Sequence, residues 1–275
     1  MPRLARAEPN VFVLRLISAI VLAPVPIAAI WFGWPWLPLL VAATAAVMGW
    51  EWARLCQGGR VGAGGIVLVA ALVAATAAAA LAGLAAGLAA AAAGAVLTWA
   101  VARLCRDREP DWIAIGGFWL ALPCVLLLWL EGSRNAGPAV LFWILAVVWA
   151  TDIGAYVVGR RIGGPRLAPR WSPGKTWAGL VGGAAAAGVV GWITAYVLGI
   201  APVLPLVMVS TGLAIVEQFG DLAESMAKRR FGVKDSSGLI PGHGGLLDRV
   251  DGLLAVIPVV ALLTLIGGAG GPSWR

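Results

Sequence analysis

The stretch Gly220–Gly252, GDLAESMAKRRFGVKDSSGLIPGHGGLLDRVDG, decides how the chain is built. It holds five acids (Asp221, Glu224, Asp235, Asp248, Asp251), five bases (Lys228, Arg229, Arg230, Lys234, Arg249) and the sole histidine, His243. Its spacing reads as helix, loop, helix. Asp221, Glu224, Ser225 and Lys228 recur at i, i+3, i+4 and i+7, so they share one face if the apolar helix before them continues. Gly232, Gly238, Pro241, Gly242, Gly244 and Gly245 break any helix, and the run resumes at Leu246, placing Asp248 and Asp251 again at i, i+3. Two pairs of acids on two helix ends, joined by a glycine-rich loop with lysine and arginine, suit a hard divalent cation and the phosphates it accompanies.

Around this stretch the sequence is apolar. Of 275 residues, 61% are hydrophobic and 12% charged, the latter about half the usual share. With a mean hydropathy of +0.91, an ordinary soluble domain is excluded. The expected fold is an all-α polytopic membrane protein, with residues 1–275 forming a single integral membrane domain. At ~20 apolar residues per crossing, nine spans are expected, near 12–32, 35–54, 64–82, 84–103, 112–130, 137–158, 175–198, 202–222 and 248–268. Between the third and fourth only Gly83 and Gly87 offer a turn, and the small residues around them suit close helix packing.

Basic residues cluster in the N-terminal tail (Arg3, Arg6, Arg15) and after the second, fourth, sixth and eighth spans. The alternate connections are nearly free of them, Arg134 excepted. The positive-inside rule therefore puts the N-terminus and the loops at 160–174 and 226–247 in the cytoplasm, so that the active site is expected at the cytoplasmic side. The net charge of +7 reports this topology and an attraction to anionic lipid; nothing calls for nucleic acid. A second span follows the first at once, which argues against a cleaved signal peptide.

Other polar residues are few. Asp152, Tyr156 and Arg160 form one helical stripe, and an aspartate that far inside a span should face a polar cavity or a cation. From Arg160 to Lys175 the chain carries five bases and no acid, a composition that suits phosphate groups. Gly174-Lys175-Thr176 is not a P-loop, because that motif's first glycine would fall at Pro169. The expected element is a basic clamp opening a helix at Lys175. Glu51 reads as an interface marker at a span end, Arg106–Asp111 as a solvated turn, and the tryptophans, Trp52 among them, as interfacial anchors. Cys56, Cys105 and Cys124 read as packing residues.

The order Ser225, Lys228, Arg229, Lys234, Asp235, Gly238, Pro241, His243, Gly244, Gly245, Asp248, Arg249, Asp251 resembles the signature of the phosphatidate cytidylyltransferase (CDP-diacylglycerol synthase) family. Gly220-Asp221 and the run Ser172 to Thr176 also fit that family of polytopic membrane enzymes. One departure is visible. The family often has glutamate two residues after the threonine of its S-P-x-K-T element, where this chain has Ala178.

The resemblance implies conversion of CTP and phosphatidic acid to CDP-diacylglycerol and pyrophosphate, in phospholipid biosynthesis. The residues expected to carry catalysis are Asp221, Asp248, Lys228, Arg229 and His243. Asp221 and Asp248 are the expected ligands of Mg2+, with Asp251, Asp152 and Glu224 as further ligands and a second cation as an extension. Arg160, Ser172, Lys175, Thr176, Ser225, Lys234 and Arg249 are expected on substrate. Membrane lipids and a second copy of the chain are further expected partners, and a bacterial inner membrane is the expected location. A polyprenol kinase, also CTP-using, and an ion-coupled transporter are the alternatives.

Overall fold

The computed structural model describes residues 22–133, 137–240 and 244–267. Within them run α1 (Pro24–Phe32), α2 (Trp36–Cys56), α3 (Ala63–Ala82), α4 (Leu84–Leu104), α5 (Pro110–Gly132), α6 (Gly137–Ile162), β1 (Arg166–Ala168), β2 (Ser172–Thr176), α7 (Trp177–Leu198), α8 (Val203–Arg230) and α9 (Leu247–Gly267). Among the described residues, eight helices are long and apolar enough to cross a membrane, and the chain is a multi-pass membrane protein. They match the second to ninth expected spans. The first is represented by α1, nine residues long; its expected start lies outside the described residues.

Gly83 ends α3 and begins α4 with φ +86, where no atom stands within 4 Å of a Cβ. A left-handed residue there turns the chain at one position, which glycine does without steric cost. Helices α2 to α5 pack into one group and α6 to α9 into another, joined where α5 meets α9 and α6. Small residues set the closest approaches. A Cβ on Gly154 of α6 would lie 2.7 Å from the Gly182 carbonyl of α7, and one on Gly220 of α8 would lie 2.6 Å from Ala255 Cβ of α9. That second contact seats the polar end of α8 directly against the start of α9.

Several expectations change. The segment before α7 is an antiparallel hairpin, with Arg166 opposite Thr176 and Ala168 opposite Ser172, so no helix opens at Lys175. Pro173 and Gly174 disfavour helix, and the Thr176 hydroxyl accepts from Gly179 N–H at 3.0 Å, capping α7 two residues later. Trp52 is fully buried, its Nε1 donating to the Trp112 carbonyl at 2.8 Å and its ring edge-on to Trp119, so it is core and not an interfacial anchor. Asp107, expected in a solvated turn, accepts from Gly64 N–H at 2.7 Å and ties the first turn of α3. Cys56 and Cys124 are buried as expected, whereas Cys105 is exposed.

Candidate active site

Helix α8 continues past its apolar stretch to Arg230, and the stripe expected from spacing forms on its last turns. Lys228 Nζ meets Glu224 Oε2 at 2.5 Å, one turn apart, and Ser225 Oγ donates to Asp221 Oδ1 at 3.2 Å. From α9, Asp251 comes in beside them. Ligand oxygens of Asp221, Glu224 and Asp251 all lie within 4.8 Å of one another. Pairwise repulsion at that distance is about 3 kcal/mol at an effective dielectric of ~20, so the group calls for positive charge.

Two lysines supply part of it. Lys175, arriving on β2, reaches Asp221 Oδ2 at 2.6 Å, and Lys228 bridges Glu224 to Asp248. Four carboxylates against two ammoniums leave two negative charges when all are ionised. Among the described residues, both carboxylate oxygens of the buried Glu224 have no partner beyond the ion pair with Lys228. Hard oxygen donors, an uncompensated charge of two and an undersatisfied buried carboxylate fit a divalent cation held by Asp221, Glu224 and Asp251.

Asp248 is placed elsewhere. One turn before Asp251, it points into the loop that precedes α9, where Oδ2 accepts from Ser236 N–H at 3.0 Å, Ser236 Oγ at 3.0 Å and Gly245 N–H at 2.7 Å, while Oδ1 faces Lys228. Its oxygens are occupied by the loop and by one lysine, and it is not a member of the three-carboxylate group.

A cavity of about 660 Å³ opens beside the acids, lined among others by Asp152, Tyr156, Arg160, Arg166, Ser172, Lys175, Thr176, Gln218 and Asp221. Its walls are α6, the hairpin, and the facing sides of α7 and α8. The expected stripe on α6 is present: Arg160 donates to Tyr156 Oη at 2.6 Å, and Asp152 faces the cavity one turn deeper. Asp221 and Lys175 belong both to the cavity wall and to the acidic group, so the two sites are continuous.

The remaining expected residues are spread around this centre. Arg229 donates to the carbonyls of Trp171 at 3.3 Å and Val233 at 3.2 Å, fastening the hairpin turn to the end of α8. Lys234 and Arg249 are exposed and do not line the cavity. His243 lies outside the described residues. Two buried residues were missed. Glu217 is 1% exposed, accepts from Gln218 Nε2 at 2.8 Å and meets Asp152 side chain to side chain. An ionisable residue inside a span was the signal that singled out Asp152, and it applied equally to Glu217. Glu51, read as an interface marker, is fully buried against the loop before α9.

Residues 13–266 match the cytidylyltransferase family. The chain belongs to that family. It is 39% identical to the phosphatidate cytidylyltransferase of Brucella suis over 92% of either chain, and 36% identical to that of Pseudomonas aeruginosa over 94% of this chain and 98% of the relative. A phosphatidate cytidylyltransferase of Thermotoga maritima is 38% identical over 59% of this chain and 64% of its own. For a member of the cytidylyltransferase family, a basic cavity continuous with a carboxylate group is the expected chemistry: both reactants are phosphates, and their charge must be met before they approach.

Proposed function

We propose that this chain is a phosphatidate cytidylyltransferase of the bacterial inner membrane, one membrane domain that turns CTP and phosphatidic acid into CDP-diacylglycerol and pyrophosphate at its cytoplasmic side. The observation that carries this reading is Asp221, which stands in the basic cavity on Lys175 and in the carboxylate group with Glu224 and Asp251. Family membership and the names of the relatives support it. They do not favour the kinase and transporter alternatives.

In the reaction an oxygen of the phosphatidic acid phosphate bonds to the α-phosphorus of CTP. The bond from that phosphorus to the oxygen bridging to the β-phosphorus breaks, and the electron pair leaves with pyrophosphate. The attacking phosphate is ionised at neutral pH, so no separate base is required. Arg160, Arg166 and Lys175 bind phosphate oxygens in the cavity, and Ser172 and Thr176 donate hydroxyl bonds there. Ser225 orients Asp221. Lys228 keeps Glu224 and Asp248 in place, and Arg229 holds the hairpin over the cavity. Lys234 and Arg249 are the outer phosphate contacts. Mg2+ held by Asp221, Glu224 and Asp251, with Asp152 beside a second cation, would neutralise charge that develops on the phosphates.

The test is incorporation of labelled CTP into chloroform-soluble lipid by purified protein with phosphatidic acid and Mg2+, for wild type, Asp251→Asn and Asp248→Asn. Wild-type CDP-lipid, nearly abolished by Asp251→Asn, is expected. No product from folded wild type across several phosphatidic acids sinks the reading. Equal activity in folded Asp251→Asn discards the cation site and keeps the reaction.

A further inference from the structure

Glu51 is the last residue type expected where it sits. It belongs to α2, in the helix group away from the cavity, and is 0% exposed. A buried carboxylate is costly unless its oxygens are satisfied, and its partners are four donors from one loop. Oε1 accepts from Ser237 Oγ at 2.5 Å and Leu246 N–H at 2.9 Å; Oε2 accepts from Ser236 Oγ at 3.2 Å and Leu247 N–H at 2.7 Å. Leu246 precedes α9 and Leu247 opens it, so the charge also lies at the positive end of that helix.

We infer that Glu51 is a positioning residue for nucleotidyl transfer, clamping the middle of the loop before α9 to the start of that helix so that Asp248 and Lys228 stand beside the carboxylate group. Ser236 Oγ touches Glu51 on one side and Asp248 on the other, at 3.2 and 3.0 Å. A hydroxyl has one proton to donate, so the two carboxylates share it. From Asp248 the line continues through Lys228 to Glu224. Gly244 and Gly245 leave no room for slack. A Cβ on Gly244, itself at φ +78, would stand 2.7 Å from Asp248 Oδ2, and one on Gly245 would collide with Glu51.

The side chain must also be a carboxylate. Each Glu51 oxygen faces a backbone N–H, so glutamine, in either orientation, sets its NH2 group against one of them. Size is kept and the clamp is lost on one side. Ser237→Ala removes a single donor to Glu51, together with the acceptor of the Leu239 N–H at 3.1 Å, and is the milder probe of kcat.

This inference rests on the proposed cytidylyl transfer, and its test separates the two. Full-length wild type, Glu51→Gln and Ser237→Ala are purified, their thermal unfolding recorded, and kcat and the KM for CTP measured. In a Cys105→Ser background, Leu239→Cys places a thiol on the loop, where Leu239 is 51% exposed while Cys56 and Cys124 are buried. Folded Glu51→Gln is expected to lose about 10–100-fold in kcat, the range for a supporting shell, with a smaller change in KM and faster maleimide labelling of that thiol. Ser237→Ala should lower kcat by less. Should Glu51→Gln fail to fold, Ser237→Ala decides by its loss of kcat against its change in KM, since its hydroxyl also holds the Leu239 N–H and the thiol there would respond directly. Unchanged kcat in the folded variants, whatever the labelling rate, overturns the inference while wild type is active. A wild type that makes no CDP-lipid overturns the activity reading itself, and this inference with it.

Discussion

Two helical hairpins of this protein are built by opposite means. Helices α3 and α4 are joined by one residue, Gly83, and meet through small apolar side chains: a Cβ on Gly94 would lie 2.7 Å from Ala71 Cβ, and one on Gly87 would lie 2.7 Å from Ala79 Cβ. Helices α8 and α9 are joined by a long loop and add to one small-residue contact, Gly220 against Ala255, a network of carboxylates, lysines and backbone amides. In lipid the first kind of contact is gained from packing alone. The second adds little net stability, because desolvation offsets attraction in a buried pair; what it provides is a fixed arrangement of charge. The α3–α4 hairpin packs without charge, and the α8–α9 hairpin holds charge where the chemistry needs it.

The sharpest way to break that division is Asp251→Asn. Loss of several kcal/mol of charge stabilisation corresponds to about 10³-fold in CDP-lipid synthesis, with little change in the unfolding temperature. Chelation of divalent cations should give a comparable loss, reversed by added Mg2+. Lys228→Met probes the network from its other side. It strands Glu224 and Asp248 and should destabilise the protein by about 3–5 kcal/mol, read from thermal unfolding in detergent, with activity falling as well. Gly94→Leu and Gly154→Leu make a matched pair. Either should cost roughly 1–3 kcal/mol by overpacking, but only Gly154→Leu, on the helix that carries Asp152 and Arg160, should reduce kcat of the folded fraction. Equal kinetic losses would erase the distinction between the two helix groups. The smallest effect belongs to Arg103→Ala. Its pair with Asp111 has both side chains more than half exposed, and the unfolding temperature should not measurably move.

What could be read from sequence follows the range of each signal. The spans and the turn at Gly83 were legible because hydrocarbon thickness and glycine conformation act locally. So was the stripe Asp221, Glu224, Ser225, Lys228, which needs only helical period. Asp248 and Asp251 have the spacing of one face, yet one enters the carboxylate group and the other turns into the loop. The cause is the loop's own amides at Ser236 and Gly245, which spacing does not encode. The hairpin was missed because strands of three and five residues carry almost no pattern. Glu51 was missed because its partners Leu246 and Leu247 lie 195 and 196 positions away, while its neighbours describe only the end of a span.

That separation also sets an order of assembly. The ribosome makes α2 early, and the amides that receive Glu51 are joined to the chain some 195 residues afterwards. At about 5–20 residues per second, its carboxylate spends roughly 10–40 s without them, hydrated at the membrane surface. Only insertion of α9 delivers the donors that let it enter the protein interior. A nascent chain halted before α9 therefore lacks both the helix that packs against α5 and α8 and the donors that let the Glu51 carboxylate be buried.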